Sequence, residues 1–329
     1  WEVTDPQNIR DAGISLDGTT ASWGVSSEQR SYVAWEPGGS FPSPKFVENV
    51  KAQNLHALPV PDMVIFTPAE WKSEAERLAD FHRNDSIEPL QVLVQTPQEV
   101  YNEFSSGVPD VQAFRKMLKM FYDRCGGKSS VNTAPEGEGK LRYVLLMCRP
   151  TYDFRRVTPS VAAMKIPTLP AWFTENGLND NSCYTTDDIM AFLEDNSGVN
   201  MGRDRLSVAL GRLPVTSQRD AKAAVDKILA YAGKSPEGLW RNNIVILADD
   251  KNSGLHMKQA DEMVRNMENS HKIEGSGGIY KKIYIDEYEL ISNTYPEARN
   301  QLYRGLDEGA LLWTFIGHAN PSSLTAEKV

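Results

Sequence analysis

The sequence predicts an α/β fold, with parallel-rich sheets flanked by helices and divided between two subdomains. Apolar runs of strand length alternate with amphipathic helical patterns, which is typical of βαβ units and a parallel sheet. After a linker at 234–238 the same pattern restarts, and this favours a second subdomain. Hydrophobic residues make up 40% of the chain and charged residues 24%, the proportions of a globular protein that buries a core.

Length and charge limit the function before any motif is considered. The chain has 329 residues, which at about 100–200 residues per domain favours two or three domains. Its formal net charge is −9, so nucleic acid is not expected as a partner, because neutralising phosphates needs a basic face. No apolar run reaches the roughly 18 residues of a membrane helix, so we expect no membrane span in this chain.

Residues 1–58 carry short β-type runs separated by turn residues such as Gly18 and Gly38. A β segment this short is not expected to be stable alone, so we predict that it is the tail of a preceding β domain. The chain starts at Trp1 without a signal-peptide pattern, which is expected of a piece of a longer protein.

Two α/β subdomains follow, at 59–235 and 236–329. The first has predicted strands at 63–67, 90–95, 143–147 and 206–210, with helices at 69–82, 111–122 and 218–232. The second has predicted strands at 243–248, 281–284 and 311–316, with helices at 257–267 and 296–307. Its last strand would lie at an incomplete sheet edge with unpaired backbone groups. We therefore expect this subdomain to be completed by the rest of a longer protein or by another chain.

The clearest candidate for chemistry is Gly317-His318, where the last predicted strand ends. Sites in open α/β sheets form outside the carboxyl ends of strands, and histidine acts as a general base or acid near neutral pH. Asp249 and Asp250 end another buried strand, and one carboxylate could accept the second ring N–H of the histidine. Asp249 or Asp250 could instead bind Mg²⁺ in a nucleotide-binding protein. The sequence disfavours this interpretation, because it has no Gly-x-x-x-x-Gly-Lys-Ser/Thr loop to bind phosphates. Structural capping roles for the histidine and the acids stay open.

Several stretches, in order along nearly the whole chain, resemble the gingipain family of cysteine peptidases. Within that family they are similar to the sortases of the type IX secretion system. One is Pro61-Asp62-Met63-Val64-Ile65-Phe66-Thr67-Pro68, which resembles the opening of the catalytic domain. The others are 54–56, 98–107, 211–215, 248–250 with 255–257, and 309–311 leading to Gly317-His318.

The resemblance implies a caspase-like fold and a peptidase with a Cys–His dyad. His318 matches the catalytic histidine of the family. Asp250 matches the acid that supports it, with Asp249 as the alternative. The backbone N–H of Ala319 falls where the family places an oxyanion donor.

The chain departs from the family pattern in three respects that bear on catalysis. The matching nucleophilic cysteine is expected one strand and loop beyond Val329, whereas Cys125, Cys148 and Cys183 all precede His318. The family's Gly-His-Gly is Gly-His-Ala here, so the loop has to accept a negative φ at Ala319. The run Met147-Cys148-Arg149-Pro150-Thr151-Tyr152-Asp153 also differs from the family's sequence at that position. These departures keep open an alternative function, a catalytically inactive binding or scaffold module.

Substrate and metal residues are expected from the same resemblance. Ser253 stands near the position where arginine-specific members carry a carboxylate, so strict arginine specificity is not expected. His256 could line the site, although a structural role at a helix start is the simpler interpretation. Gingipains bind calcium, and the acidic loop with Asp187, Asp188 and Asp195 is the candidate for a structural Ca²⁺, with a solvated loop as the alternative.

The implied function is that of a type IX sortase. No cofactor is required for such a reaction. The protein substrate would be the C-terminal signal domain of secreted cargo, cleaved and replaced by a lipopolysaccharide amine. The implied location is the cell surface at the outer membrane, with an outer-membrane partner of the secretion system.

Overall fold

The structure is a computed structural model. It describes residues 1–36, 38–46, 49–129, 131–151, 153, 157, 166–172, 183–200, 203–234, 237–270, 278–320 and 323–325. The chain forms two compact units, Trp1–Gln53 and Asn54–Val329. In the first unit, β1 (Ser15–Asp17) and β2 (Thr20–Ser22) pair as an antiparallel hairpin. Its turn places Gly18 at a φ of 60°, which glycine adopts without steric cost.

The second unit contains alternating strands and helices. Its strands are β3 (Met63–Phe66), β4 (Val92–Gln95), β5 (Tyr143–Met147), β6 (Pro150–Thr151), β7 (Ile166–Pro167), β8 (Leu169–Trp172), β9 (Cys183–Thr186), β10 (Ala209–Leu213), β11 (Asn243–Ala248), β12 (Ile279–Tyr284), β13 (Leu312–Ile316), β14 (Ala319–Asn320) and β15 (Ser323–Leu324). Its α-helices are α1 (Lys72–Arg83), α2 (Pro97–Phe104), α3 (Val111–Arg124), α4 (Gln218–Lys234), α5 (Lys251–Glu268) and α6 (Pro296–Asp307). No helix in the described part of the chain is long and apolar enough to cross a membrane.

The first large sheet has four parallel strands in the order β10-β5-β3-β4. Successive side chains of β3 point to opposite faces, as the period of two in a strand requires. Val64 and Phe66 pack into a cluster with α2 and α3, while Met63 and Ile65 pack with α1 and α4. Helices on both faces explain why this strand reads as one continuous apolar run.

The second large sheet has three parallel strands in the order β12-β11-β13. The central strand β11 sends Val245 and Leu247 toward α6, and Ile244 and Ile246 toward α5. β13 lies at one edge of this three-stranded sheet. The predicted fold class, parallel-rich sheets flanked by helices with a short β segment near the start of the chain, is confirmed.

Several elements differ from the sequence expectation, among them the short strands β6 to β9, β14 and β15, which were not predicted. The strand predicted at 206–210 lies instead at Ala209–Leu213. Residues before it bond to another segment, because the Ser207 N–H donates to Ala191 O and the Ser207 Oγ accepts the N–H of Leu193. α2 was not predicted, although it begins with a capping box between Thr96 and Glu99 and a proline in its first turn. The division into subdomains at 59–235 and 236–329 stays a prediction.

Candidate active site

Asp249 and His318 meet at the carboxyl edge of the second sheet. Their strands β11 and β13 are direct neighbours, with Ala248 opposite Ile316. The pairing continues one residue further, because Asp249 donates its N–H to Ile316 O at 3.0 Å. Nδ1 of His318 then lies 3.3 Å from Oδ2 of Asp249, and the His318 N–H donates to the same oxygen at 3.1 Å. The sheet register itself therefore brings the two side chains together.

Asp249 is a buried carboxylate held by hydrogen bonds. It has no solvent exposure, while 56% of the His318 side chain is exposed. Burial alone raises the pKa of Asp249. Hydrogen bonds from the backbone N–H groups of His318 and Lys251, from the His318 ring and from the Asp250 side chain outweigh burial, so the net pKa is lowered. The carboxylate therefore stays ionised and can fix the orientation of the imidazole.

The side chain of Asp250 contacts Asp249 and Tyr295. Its Oδ2 accepts a hydrogen bond from the Tyr295 hydroxyl at 3.1 Å, and its backbone stands at the start of α5. Of the two neighbouring acids, the structure therefore places Asp249 against the imidazole, and not Asp250, the acid favoured from the sequence. The extra ladder bond of Asp249 is the physical reason, since it keeps that residue in line with β13.

The chain after His318 turns back in a small hairpin. Ala319 begins β14 and pairs with Leu324 of β15, and Thr325 donates its N–H to His318 O at 2.9 Å. Ala319 is not among the residues with a positive φ. Its φ is therefore negative, as expected for alanine at a position where the family has glycine. Its role as an oxyanion donor stays a prediction.

The loop that starts α5 brings a second histidine to the site. Asn252, Ser253 and Gly254 have consecutive left-handed conformations, with φ values of 57°, 55° and 72°. The chain is redirected there, and His256 follows at the beginning of the regular helix. Its ring packs edge-on against that of His318, with centroids 5.1 Å apart. The Asn252 side-chain nitrogen lies 3.3 Å from Nε2 of His256.

The sequence model of peptidase family C25 matches residues 56–329, which is most of the chain. The chain belongs to peptidase family C25. This is the gingipain family, so the resemblance expected from the sequence is confirmed. C25 members are cysteine peptidases.

Among solved structures, the chain is similar to the crystal structure of dimeric latent PorU from Porphyromonas gingivalis. The identity is 34%, the TM-score 0.46, and the match covers 55% of this chain and 16% of that chain. The chain therefore spans about a sixth of that structure's length. A search of curated proteins finds no match.

The two cysteines whose side chains the structure describes are inaccessible to solvent. Cys125 and Cys148 are both fully buried. Cys125 ends α3 with its Sγ 3.2 Å from Tyr122 O, and Cys148 follows β5, where its carbonyl accepts a bond from Arg212. A nucleophile must reach its substrate, so neither thiol is placed for that task. The side chain of Cys183 lies outside the described residues.

Two of the three acids considered for calcium, Asp187 and Asp195, are paired with basic side chains. Both oxygens of Asp187 accept from Arg212, at 2.6 and 2.7 Å, and Asp195 pairs with Lys119 at 2.9 Å. Asp188 starts a short 3₁₀ helix. Within the described ranges, the only three His, Cys, Asp or Glu side chains close enough to share a metal ion are Asp249, His256 and His318. A calcium role for the acidic loop stays a prediction.

Proposed function

We propose that this chain carries the base-and-acid half of a C25 cysteine peptidase, with His318 as the general base and Asp249 as the residue that orients it. One observation carries the proposal: a histidine and a buried carboxylate stand 3.3 Å apart at the carboxyl edge of a parallel sheet, in a chain of a cysteine-peptidase family. Sites of open α/β proteins form at this edge.

In this mechanism His318 removes the proton of a cysteine thiol. The thiolate attacks the carbonyl carbon of the scissile peptide, and the oxygen of the tetrahedral intermediate is stabilised by backbone N–H donors, with that of Ala319 proposed as one. The imidazolium returns its proton to the leaving amine as the C–N bond breaks, which leaves an acyl thioester. Asp249 stabilises the imidazolium and keeps its ring in one orientation.

We propose that the thiol comes from a cysteine beyond Val329 in a longer protein. The acyl thioester would then be attacked by a lipopolysaccharide amine or by water, which forms the new bond and releases the thiol. The proposed substrate is the C-terminal signal domain of type IX cargo. The proposed location is the outer face of the outer membrane, beside a membrane partner of the secretion system.

The experiment compares the longer protein with its variants on a peptide that spans a cargo cleavage junction. We expect thiol-sensitive turnover that falls about 10²–10⁴-fold in His318→Ala, the usual contribution of a general base. His56→Gln is the matched control, since His56 also pairs with a carboxylate, Glu103, at 2.7 Å. Turnover that is insensitive to a thiol alkylator, or equal losses in the two variants, would contradict the proposal.

A binding or scaffold module without catalysis is the second candidate, and the burial of Cys125 and Cys148 favours it for residues 1–329 considered alone. The same assay separates the two functions. A module would bind the cargo signal domain in a pull-down with purified components, yet release no product from the junction peptide, with or without an amine acceptor.

A further inference from the structure

We propose that Asp249, His256 and His318 form a binding site for a divalent transition-metal ion of the Zn²⁺ class. One carboxylate oxygen and one nitrogen from each ring lie within 4.8 Å of one another. Within the described part of the chain, no other group of three His, Cys, Asp or Glu side chains comes this close.

The donor set selects the class of metal. Two imidazole nitrogens and one carboxylate oxygen suit Zn²⁺ and its neighbours, whereas Ca²⁺ and Mg²⁺ prefer oxygen ligands alone. Three protein ligands with an open fourth position are the usual arrangement at an accessible zinc site. The half-exposed ring of His318 leaves such a position open to solvent.

The present distances need only a small adjustment to bind an ion. Bonds of about 2.0–2.1 Å in a tetrahedron separate two ligand atoms by roughly 3.3 Å. Nδ1 of His318 and Oδ2 of Asp249 are already 3.3 Å apart. The third ligand has to close the remaining gap, and His256 lies at the beginning of a helix with its side chain only partly buried, so its ring can turn.

The surroundings of the carboxylate support an ion. Asp249 is held by the N–H groups of His318 and Lys251, at 3.1 and 3.4 Å, which fix its oxygens from the side of the backbone. Such outer contacts orient metal ligands and strengthen binding. The carboxylate oxygens are also the only acidic ligand atoms among the three side chains of the group.

A bound metal ion would coordinate Nδ1 of His318, the nitrogen that faces Asp249. In the peptidase proposed above, this would release the ring from its orienting acid, so the ion would act as a reversible inhibitor. This consequence rests on the proposed function. The metal site itself does not, because it is defined by three side chains of this chain.

The test measures metal binding by the tag-free chain of 329 residues after removal of metals. Co²⁺ is titrated while the visible absorption of four-coordinate cobalt is recorded, and Zn²⁺ affinity is measured by competition with a chromophoric chelator. We expect one equivalent to bind, and His256→Gln and His318→Gln each to weaken binding at least ~10-fold. His56→Gln is the control, because His56 and Glu103 form a histidine–carboxylate pair that has no third His, Cys, Asp or Glu ligand within the described residues.

Circular dichroism and thermal unfolding establish that each variant is folded. Both histidines have exposed surface, so these substitutions are expected to leave the fold intact. Three results would overturn the proposal: no binding at millimolar Zn²⁺, affinity unchanged in both His256→Gln and His318→Gln, or an equal loss in His56→Gln. None of these measurements uses peptidase activity. The metal-binding proposal can therefore be tested even if the proposed catalytic function is wrong.

Discussion

Gly317 lies so close to Asp249 that a β-carbon at position 317 would be 2.3 Å from the Cβ of Asp249. The same atom would be 2.8 Å from the ring of Phe315. Such distances are far inside van der Waals contact, so a larger residue forces β13 or the end of β11 to shift. Glycine before the histidine is therefore a packing requirement of the site, since it lets the backbone of one strand pass beside the acid on the next.

Gly317→Ala should destabilise the chain by about 1–3 kcal/mol, the usual cost of forcing extra atoms into a filled space. Urea unfolding measures the difference in the free energy of unfolding. Gly211→Ala is the matched control, because a Cβ on this strand glycine meets nothing within 4 Å, and we expect a change within about 0.5 kcal/mol. Similar effects at both positions would show that the close approach to Asp249 is not what limits position 317.

The sequence predicts the general position of the site well. Asp249 and His318 each follow an apolar run, and carboxyl ends of neighbouring parallel strands meet at one edge. The choice between Asp249 and Asp250 depends on one further ladder bond, from Asp249 to Ile316, which no pattern in the sequence signals.

The proximity of His256 to His318 is harder to predict. It depends on three consecutive left-handed residues, and Ser253 is not a residue type that signals this conformation. Spacing along the chain places His256 on a helix, but the direction in which the helix starts is set by those φ values. α2, by contrast, was predictable, because the Thr96–Glu99 capping box and Pro97 together signal a helix start.

Asp187 and Arg212 form a two-pronged ion pair with little exposure, the side chains being 18% and 9% exposed. Arg212 also donates to Cys148 O at 2.6 Å. Arg212→Met leaves a largely buried carboxylate without its cation, and we expect a loss of about 3–5 kcal/mol in urea unfolding. Asp195→Asn is the control, since this acid of the same loop is 86% exposed and its pair with Lys119 should contribute less than ~1 kcal/mol. A loss below 1 kcal/mol in Arg212→Met would show that solvent reaches and compensates Asp187.

Asp261 makes a contribution to stability that depends on pH. Hydrogen bonds from Lys282 and Tyr284, each 2.6 Å long, lower its pKa, with Arg265 adding a weaker attraction. Because the pKa of Asp261 is lower in the folded state, the ionised carboxylate stabilises the fold at pH values above the unfolded-state pKa of about 3.9. This stabilisation is lost as the pH falls through the folded-state pKa.

Asp261→Asn should therefore reduce stability at pH 7 by less than about 1 kcal/mol, because the pair is partly exposed, and by less still near pH 3. Urea unfolding of both proteins at the two pH values gives the comparison. A difference between the proteins that is equal or larger at acid pH would contradict the assignment of this ion pair.

Substitution of Asp249 or Asp250 in the longer protein, assayed with the cargo-junction peptide, tests which of the two acids orients the imidazole. Asp249→Asn removes the negative charge beside the imidazole and should lower kcat roughly 10–10³-fold, because the imidazolium formed during thiol deprotonation loses its counter-charge. Asp250→Asn keeps an oxygen that can accept from Tyr295, so kcat should change less than about threefold.

Since Asp249 is buried, thermal unfolding of both variants must first show that each is folded at the assay temperature. A kcat loss confined to Asp250→Asn would assign the orienting role to Asp250, and it would mean that the 3.3 Å contact of Asp249 with His318 is structural.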